Sequence, residues 1–223
     1  MSWTEEEPVP GVKIFQPAKA FRYGGEAFWL VGFALEGAAP QAALDLGTGS
    51  GVMGVLLAAQ GCRVVGIDHR EEWEPFWKKT LEKSQLAGSM RFLLQDVLAC
   101  QEKGFDLVVS NPPFFRAGDG PASPNPWKRA ARTEGTARIA DFVAAGGRAL
   151  GPKGRLCMVF PVSRESDVLM AASRAGLFPV RRAQVGRLRV ILEMSANQRA
   201  CADEILAEDS ARVKRWYALA TKG

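Results

Sequence analysis

Ala43-Leu44-Asp45-Leu46-Gly47-Thr48-Gly49-Ser50-Gly51 is a short apolar run closed by three glycines at alternate positions. A run of this length bounded by turn residues reads as a buried strand, Ala42–Leu46. Gly51–Gln60 then reads as a helix. Glycines at the join let the backbone turn sharply and approach a ligand closely. The first turn of the helix presents unpaired N–H groups at the same place. Such a unit opens a parallel α/β sheet that binds its ligand at the carboxyl ends of the strands.

On either side of that unit, helical and strand patterns alternate. Gly25–Leu35 has helical apolar spacing and ends at Gly37. Arg63–Asp68, Arg91–Leu94, Phe105–Ser110 and Gly154–Phe160 read as strands. Helices are expected over Glu71–Leu86, with Pro75 tolerated near its first turn, over Thr136–Leu150 and over Ser163–Ala175. Leu177–Val185 and Leu188–Ser195 form a terminal pair of strands, and Val12–Gln16 is a short apolar stretch closed by Pro17. Together these predict a parallel sheet covered on both faces. Residues 1–37 are expected as an N-terminal extension packing on a catalytic domain of residues 38–223. The Pro- and Gly-rich stretch from Asn111 to about Ala130 is far longer than an ordinary strand-to-helix loop and points to function.

Composition narrows the chemistry. Of 223 residues one is His and four are Cys. A lone His69 leaves no paired-histidine zinc site, and no other His is available for a Ser-His-Asp or Cys-His site. Cys62, Cys100, Cys157 and Cys201 stand far apart with no Cys-x-x-Cys, so no metal is expected and a reducing, cytoplasmic setting is. The acidic start, Met1 to Glu7, does not read as a signal peptide, and the longest uncharged stretch, Leu46 to Cys62, is too polar to span a bilayer. The net charge of +5 is unevenly spread: residues 1–110 hold 10 basic and 14 acidic residues, residues 111–223 hold 19 and 10. Fifteen of those 19 are Arg, whose planar fork suits phosphate and stacks on bases. A nucleic-acid partner fits that asymmetry, as does a solvated surface.

The glycine loop reads G-x-G-x-G rather than the dinucleotide pattern G-x-G-x-x-G, and Asp45 precedes it. A carboxylate there would repel a pyrophosphate and suit a cation. Asp68 ends the next strand, where an acidic residue grips ribose hydroxyls in nucleotide-binding folds. An adenosine ligand with positive charge and no phosphates satisfies both, and S-adenosyl-L-methionine is one. Asp96 follows the Arg91–Leu94 strand; it suits either an adenine amino group or the cap of a turn.

Ser110-Asn111-Pro112-Pro113-Phe114 follows the Phe105–Ser110 strand directly. The prolines remove two N–H donors and stiffen the backbone, leaving their neighbouring carbonyls as acceptors. Asn111 adds a side-chain oxygen; Phe114 and Phe115 add flat faces. This set suits a planar group bearing an NH2: two acceptors hold the amino hydrogens while a ring stacks on the base. Held so, the amine lone pair aims at a sulfonium methyl, and in-line displacement needs mainly positioning, with no histidine.

Asp45 to Gly51 with Asn111 to Phe114 resembles the class I methyltransferases that modify exocyclic or amide nitrogens. Phe15-Gln16-Pro17, Arg22-Tyr23-Gly24-Gly25-Glu26-Ala27, Ala131-Arg132-Thr133-Glu134 and Leu150-Gly151-Pro152-Lys153-Gly154 stand in an order similar to the bacterial tRNA1(Val) adenine-37 N6-methyltransferase family and its small-domain relatives, from about residue 12 to 195. The resemblance implies a Rossmann-like α/β fold with a mostly parallel, seven-stranded sheet and helices on both faces. It implies S-adenosyl-L-methionine as cofactor, structured RNA (tRNA first) as partner, and adenine N6 as acceptor. By resemblance Tyr23, Gly24, Asp45, Gly47, Gly49, Gly51, Asp68, Asp96 and Asn111 bind the cofactor, and Asn111, Pro112, Pro113 and Phe114 form the catalytic motif. The chain departs from the family at Glu26, usually Asp, at Phe114, commonly Tyr, and near position 80, where an Asn is often found.

Asn-Pro-Pro-Phe alone does not separate an adenine from a guanine N2 in ribosomal RNA or a glutamine amide in a protein. A cofactor-binding module without chemistry is a further alternative. Lys128, Arg129 and Arg132, beside Trp127, are candidates for RNA phosphate along with Phe115 for the base; a solvated loop is the other reading. Arg181, Arg182, Arg187 and Arg189 either extend an RNA surface or form the polar face of edge strands. His69 is expected as an exposed strand-end residue, and Trp73, Phe76 and Trp77 as core or a partner-facing patch.

Overall fold

The computed structural model describes residues 3–18, 23–37, 39–114 and 137–222. In chain order the strands are β1 (Trp3–Val9), β2 (Val12–Pro17), β3 (Ala42–Leu46), β4 (Arg63–Asp68), β5 (Met90–Leu94), β6 (Phe105–Ser110), β7 (Leu150–Pro161), β8 (Phe178–Val185), β9 (Arg189–Ser195) and β10 (Ala202–Leu206). The helices are α1 (Gly25–Leu35), α2 (Val52–Ala59), α3 (Glu74–Ser84), α4 (Ile139–Ala149), α5 (Glu165–Arg174) and α6 (Ala211–Ala220).

Eight strands form the main sheet in the order β10-β8-β9-β7-β6-β3-β4-β5. All its pairings are parallel except those of β9 with β7 and β8. The expectation of seven strands is therefore corrected to eight. The extra strand, β10, pairs with β8 at one edge, and its sequence Ala-Asp-Glu-Ile-Leu is largely exposed, so it carries no buried apolar signature. β1 and β2 make a separate hairpin, in which Trp3-Thr-Glu-Glu-Glu-Pro-Val alternates exposed and half-buried positions.

The sheet is buried on both faces, and the alternation of its strands shows it. Ala43, Val64, Leu107, Val109, Cys157 and Val159 face one apolar layer with α1, α2, α6 and the hairpin. Leu44, Val65, Val108, Leu156, Met158 and Phe160 face the other, with α4 and α5. Period-two alternation with both sets apolar is the pattern of a parallel sheet covered on both sides. α1 and α6 cross at very close range: a Cβ on Gly32 would stand 2.0 Å from the Trp216 carbonyl oxygen. Phe33 packs edge-on to the Trp216 ring at 5.3 Å.

Strand order reverses beside β3. From β3 the chain lays down β4 and β5 on one side, then returns to place β6 on the other. Such a switch point opens a crevice at the carboxyl ends of the two strands. Leu46 of β3 lies beside Ser110 of β6, and the Ser110 hydroxyl donates to the Leu46 carbonyl at 2.9 Å. The glycine loop and the Asn-Pro-Pro-Phe motif thus leave the sheet side by side.

Candidate active site

The crevice opens into a cavity of about 1010 Å³. Gly47, Gly49 and Asp68 line one part of it; Asn111, Pro112 and Phe114 line another. Tyr23, Gly24, Pro113 and Asp96 also reach it. Phe115, Lys128, Arg129 and Arg132, like Trp127, lie outside the described residues.

The glycine loop is shaped by three left-handed residues, Gly47 (φ 71°), Gly49 (φ 55°) and Gly51 (φ 89°). L side chains avoid that region, so glycine is required at these turns. Both the Gly47 and Thr48 amides donate to the Ile67 carbonyl at 2.9 Å, hooking the loop onto β4. From the other side the Trp77 indole Nε1 donates to the Gly49 carbonyl at 2.8 Å. Trp77 stacks on Phe92 at 5.0 Å and is buried, as are Trp73 and Phe76. Of the two readings for these aromatics the structure selects the core, with Trp77 acting as a brace for the loop.

Asp45 and Gly51, both expected at the cofactor, do not line the cavity. Asp45 is fully buried behind the loop, where the Thr48 hydroxyl donates to its Oδ2 at 2.6 Å and the Gly54 amide at 3.0 Å. Burial is the main cause that pushes its carboxyl up to about 7, against the pull of those two donors. Its work is to hold the loop and the start of α2 together. Gly51 instead faces the Phe92 ring, which a Cβ would approach to 2.6 Å.

Asp68 ends β4 at the cavity wall with 3% of its surface exposed. Oδ1 accepts from the Arg70 amide at 3.1 Å and from Arg70 Nε at 2.9 Å. Oδ2 accepts from the Gly49 amide at 3.0 Å and from Arg70 Nη2 at 3.0 Å. Four N–H groups thus match the four lone-pair directions of a carboxylate. The Arg70 guanidinium also lies over the Trp73 ring at 5.2 Å. Asp96 takes the capping role of its two readings: Oδ1 accepts from the Leu98 amide at 2.8 Å at the short turn Val97–Ala99. The residue also lines the cavity. The His69 side chain is 65% exposed.

Around the motif, two arginines grip Phe114. Arg164, itself buried, donates from Nη1 to the Phe114 carbonyl at 2.7 Å and from Nε to Asp167 at 2.7 Å. Arg189 sits over the Phe114 ring at 5.0 Å, and its Nε donates to Glu26 at 3.1 Å. Sequence reasoning did not single out Arg164; a lone Arg opening a helix carries no signal until β7 is seen to end beside β6. The arginine cluster divides. Arg181 is tied to Glu193 at 2.6 Å and Arg182 to Glu165 at 2.6 Å, both structural, whereas Arg187 and Arg189 line the cavity.

A glycine loop and an Asn-Pro-Pro-Phe motif on adjacent strands at the switch point of a Rossmann-like sheet define a class I methyltransferase, the class that takes S-adenosyl-L-methionine as methyl donor. The chain belongs to the methyltransferase small domain family, whose model matches residues 29–174. It is 30% identical over 145 residues to a tRNA1(Val) (adenine(37)-N6)-methyltransferase of Tolumonas auensis, covering 64% of this chain and 60% of that protein. It is also 30% identical over 186 residues to the protein of that name from Porphyromonas gingivalis, covering 78% and 72%. Among solved structures, a predicted O-methyltransferase of Agrobacterium tumefaciens matches with a TM-score of 0.64 at 15% identity, over 88% of this chain and 97% of that one, a likeness of fold. Among the described residues no helix is long and apolar enough to cross a membrane, and no group of three or more His, Cys, Asp or Glu is placed to hold a metal.

Proposed function

We propose that this protein transfers a methyl group from S-adenosyl-L-methionine to the N6 amino group of an adenine in tRNA. The single observation that carries this is the adjacency of Asp68, the glycine loop and Asn111–Phe114 around one cavity, fixed by the β3–β6 pairing. The cavity fits the cofactor: positive-φ glycines leave its wall without side chains, and a carboxylate stands where a ribose diol would be received. When bound, the cofactor supplies a methyl on a sulfonium, electrophilic without further activation.

The chain's own residues do the rest. Gly47, Gly49 and Asp68 hold the donor, and Asp96 stands at the cavity for the adenine ring. A diol reaches Asp68 once the Arg70 fork has left it, with the Trp73 face as support for the freed guanidinium. Asn111 Oδ1 and the Pro112 carbonyl accept the two hydrogens of the acceptor amine, which removes its rotational freedom and fixes its lone pair. Phe114 offers the stacking face, and Arg164 holds that residue's carbonyl in place. The curated relatives and the Arg-rich second half of the chain support RNA as acceptor over a protein amide. A tritiated-methyl assay on bulk RNA and on total protein tests this. Label in RNA, recovered as N6-methyladenosine, is expected; label confined to protein would overturn it.

A further inference from the structure

The turn between β8 and β9 stands at the rim of the acceptor side of the cavity and is anchored at three points. The Gly186 amide donates to the Leu206 carbonyl at 2.8 Å. The Leu188 carbonyl accepts from the Val162 amide at 3.1 Å. Arg189 is held by Glu26 and lies over Phe114. A turn so fixed has a set direction, and it presents two side chains outward. Leu188 is 65% exposed, a large apolar residue with no core to join. Arg187 is exposed and has no ion pair among the described residues. That separates it from Arg181 and Arg182 of β8 and from Arg199, between β9 and β10, which are bound to Glu193, Glu165 or Asp203. Arg187 and Leu188 of the turn, and Arg189, which opens β9, line the cavity that also holds Asn111 and Phe114.

We propose that this turn receives the RNA strand beside the target base: Arg187 pairs with a backbone phosphate and Leu188 packs against the base next to the one that enters the cavity. The inference rests on RNA being the methyl acceptor. An unpaired guanidinium matches a phosphate in charge and in its fork geometry. An exposed apolar side chain beside it covers the face of a base unstacked when its neighbour is withdrawn. Arg189 then links strand binding to the acceptor wall, because the anchored turn and the Phe114 ring share that one side chain.

The test compares wild type, Arg187→Gln, Leu188→Ser and, as a control on α6, Arg215→Gln. Fluorescence anisotropy measures binding to unmodified tRNA over a series of salt concentrations. Arg187→Gln is expected to weaken binding about tenfold at low salt, the size of one charged hydrogen bond lost. Its log–log salt slope should be shallower by about 0.7, the mark of one phosphate contact to a single strand. Leu188→Ser should weaken binding about threefold with the slope unchanged, for want of an apolar contact only. Cofactor dissociation constants should stay at the wild-type value in both, which shows that the cavity is intact. Wild-type affinity and slope in Arg187→Gln, or an equal loss in Arg215→Gln, would overturn the inference while leaving methyl transfer to RNA standing. A wild-type protein that neither binds nor methylates tRNA would overturn that reading and this one together.

Discussion

Asn111 stands where β6 ends, and nothing else in its motif offers a side-chain acceptor. Asn111→Ala should lower turnover by at least about a hundredfold while leaving cofactor affinity nearly unchanged, since it removes an interaction made with the acceptor amine. Single-turnover kinetics beside calorimetry separate the two; equal losses in both would place Asn111 in cofactor binding alone. Asp68 is the converse case. Asp68→Ala should weaken cofactor binding by about 1–3 kcal/mol, the cost of removing a charged acceptor, and an unchanged dissociation constant would refute its role. Asp45 makes a third, different prediction. Its pKa is about 7 in the folded protein against an ordinary 3.8, so the fold holds its proton more tightly than the unfolded chain does. The stability it contributes is full below about pH 4 and is lost as pH rises to about 7. Asp45→Asn should therefore abolish that decline in the melting temperature between those values. Parallel pH curves for the variant and wild type would contradict the protonated Asp45.

Elements explain what was legible and what was not. β3, β4, β6 and α1 have the boundaries read from the sequence, because each is a continuous apolar run, strand-length or helix-length, between clear turn residues. β1, β10 and α6 were not read at all. β1 hides its alternation behind three glutamates and Pro8, and β10 is mostly exposed, so neither shows a buried face. α6 buries only Val213, Trp216 and Ala220, and what fixes it is distant in sequence: the small residue Gly32, which lets the two helices touch. That contact is testable. Gly32→Ala should destabilise the fold by about 1–3 kcal/mol or more, since backbone cannot move aside as a side chain can. A melting temperature at or above wild type would mean that the crossing relaxes freely. The site was legible to the same degree. Gly47, Gly49, Asp68, Asn111 and Phe114 meet in one cavity because each is adjacent to a strand end. That the Asp45 side chain points behind the loop was not legible, because sequence order does not show it. Arg164 and Trp77 act through tertiary contacts that no local pattern announces, and Arg70 acts through a local fork onto Asp68, two residues before it, which no hydrophobic pattern marks.

At the scale of the whole molecule, the sheet order decides everything else. The reversal beside β3 brings an acidic, cofactor-side first half against an Arg-rich second half that begins at Asn111. Asp68 and Asp96 line one part of the cavity and Arg164, Arg187 and Arg189 the part beside Asn111 and Phe114, the first suited to a cationic donor and the second to a polyanionic acceptor. The central claim is that these sides serve one transfer, to adenine N6 in tRNA. Its most direct measurement is mass analysis of nucleosides from unmodified tRNA incubated with the purified protein and S-adenosyl-L-methionine. The expected result is N6-methyladenosine, absent when Asn111→Ala replaces wild type. N2-methylguanosine in its place, or tRNA left unmethylated by a protein that binds the cofactor, would contradict the account.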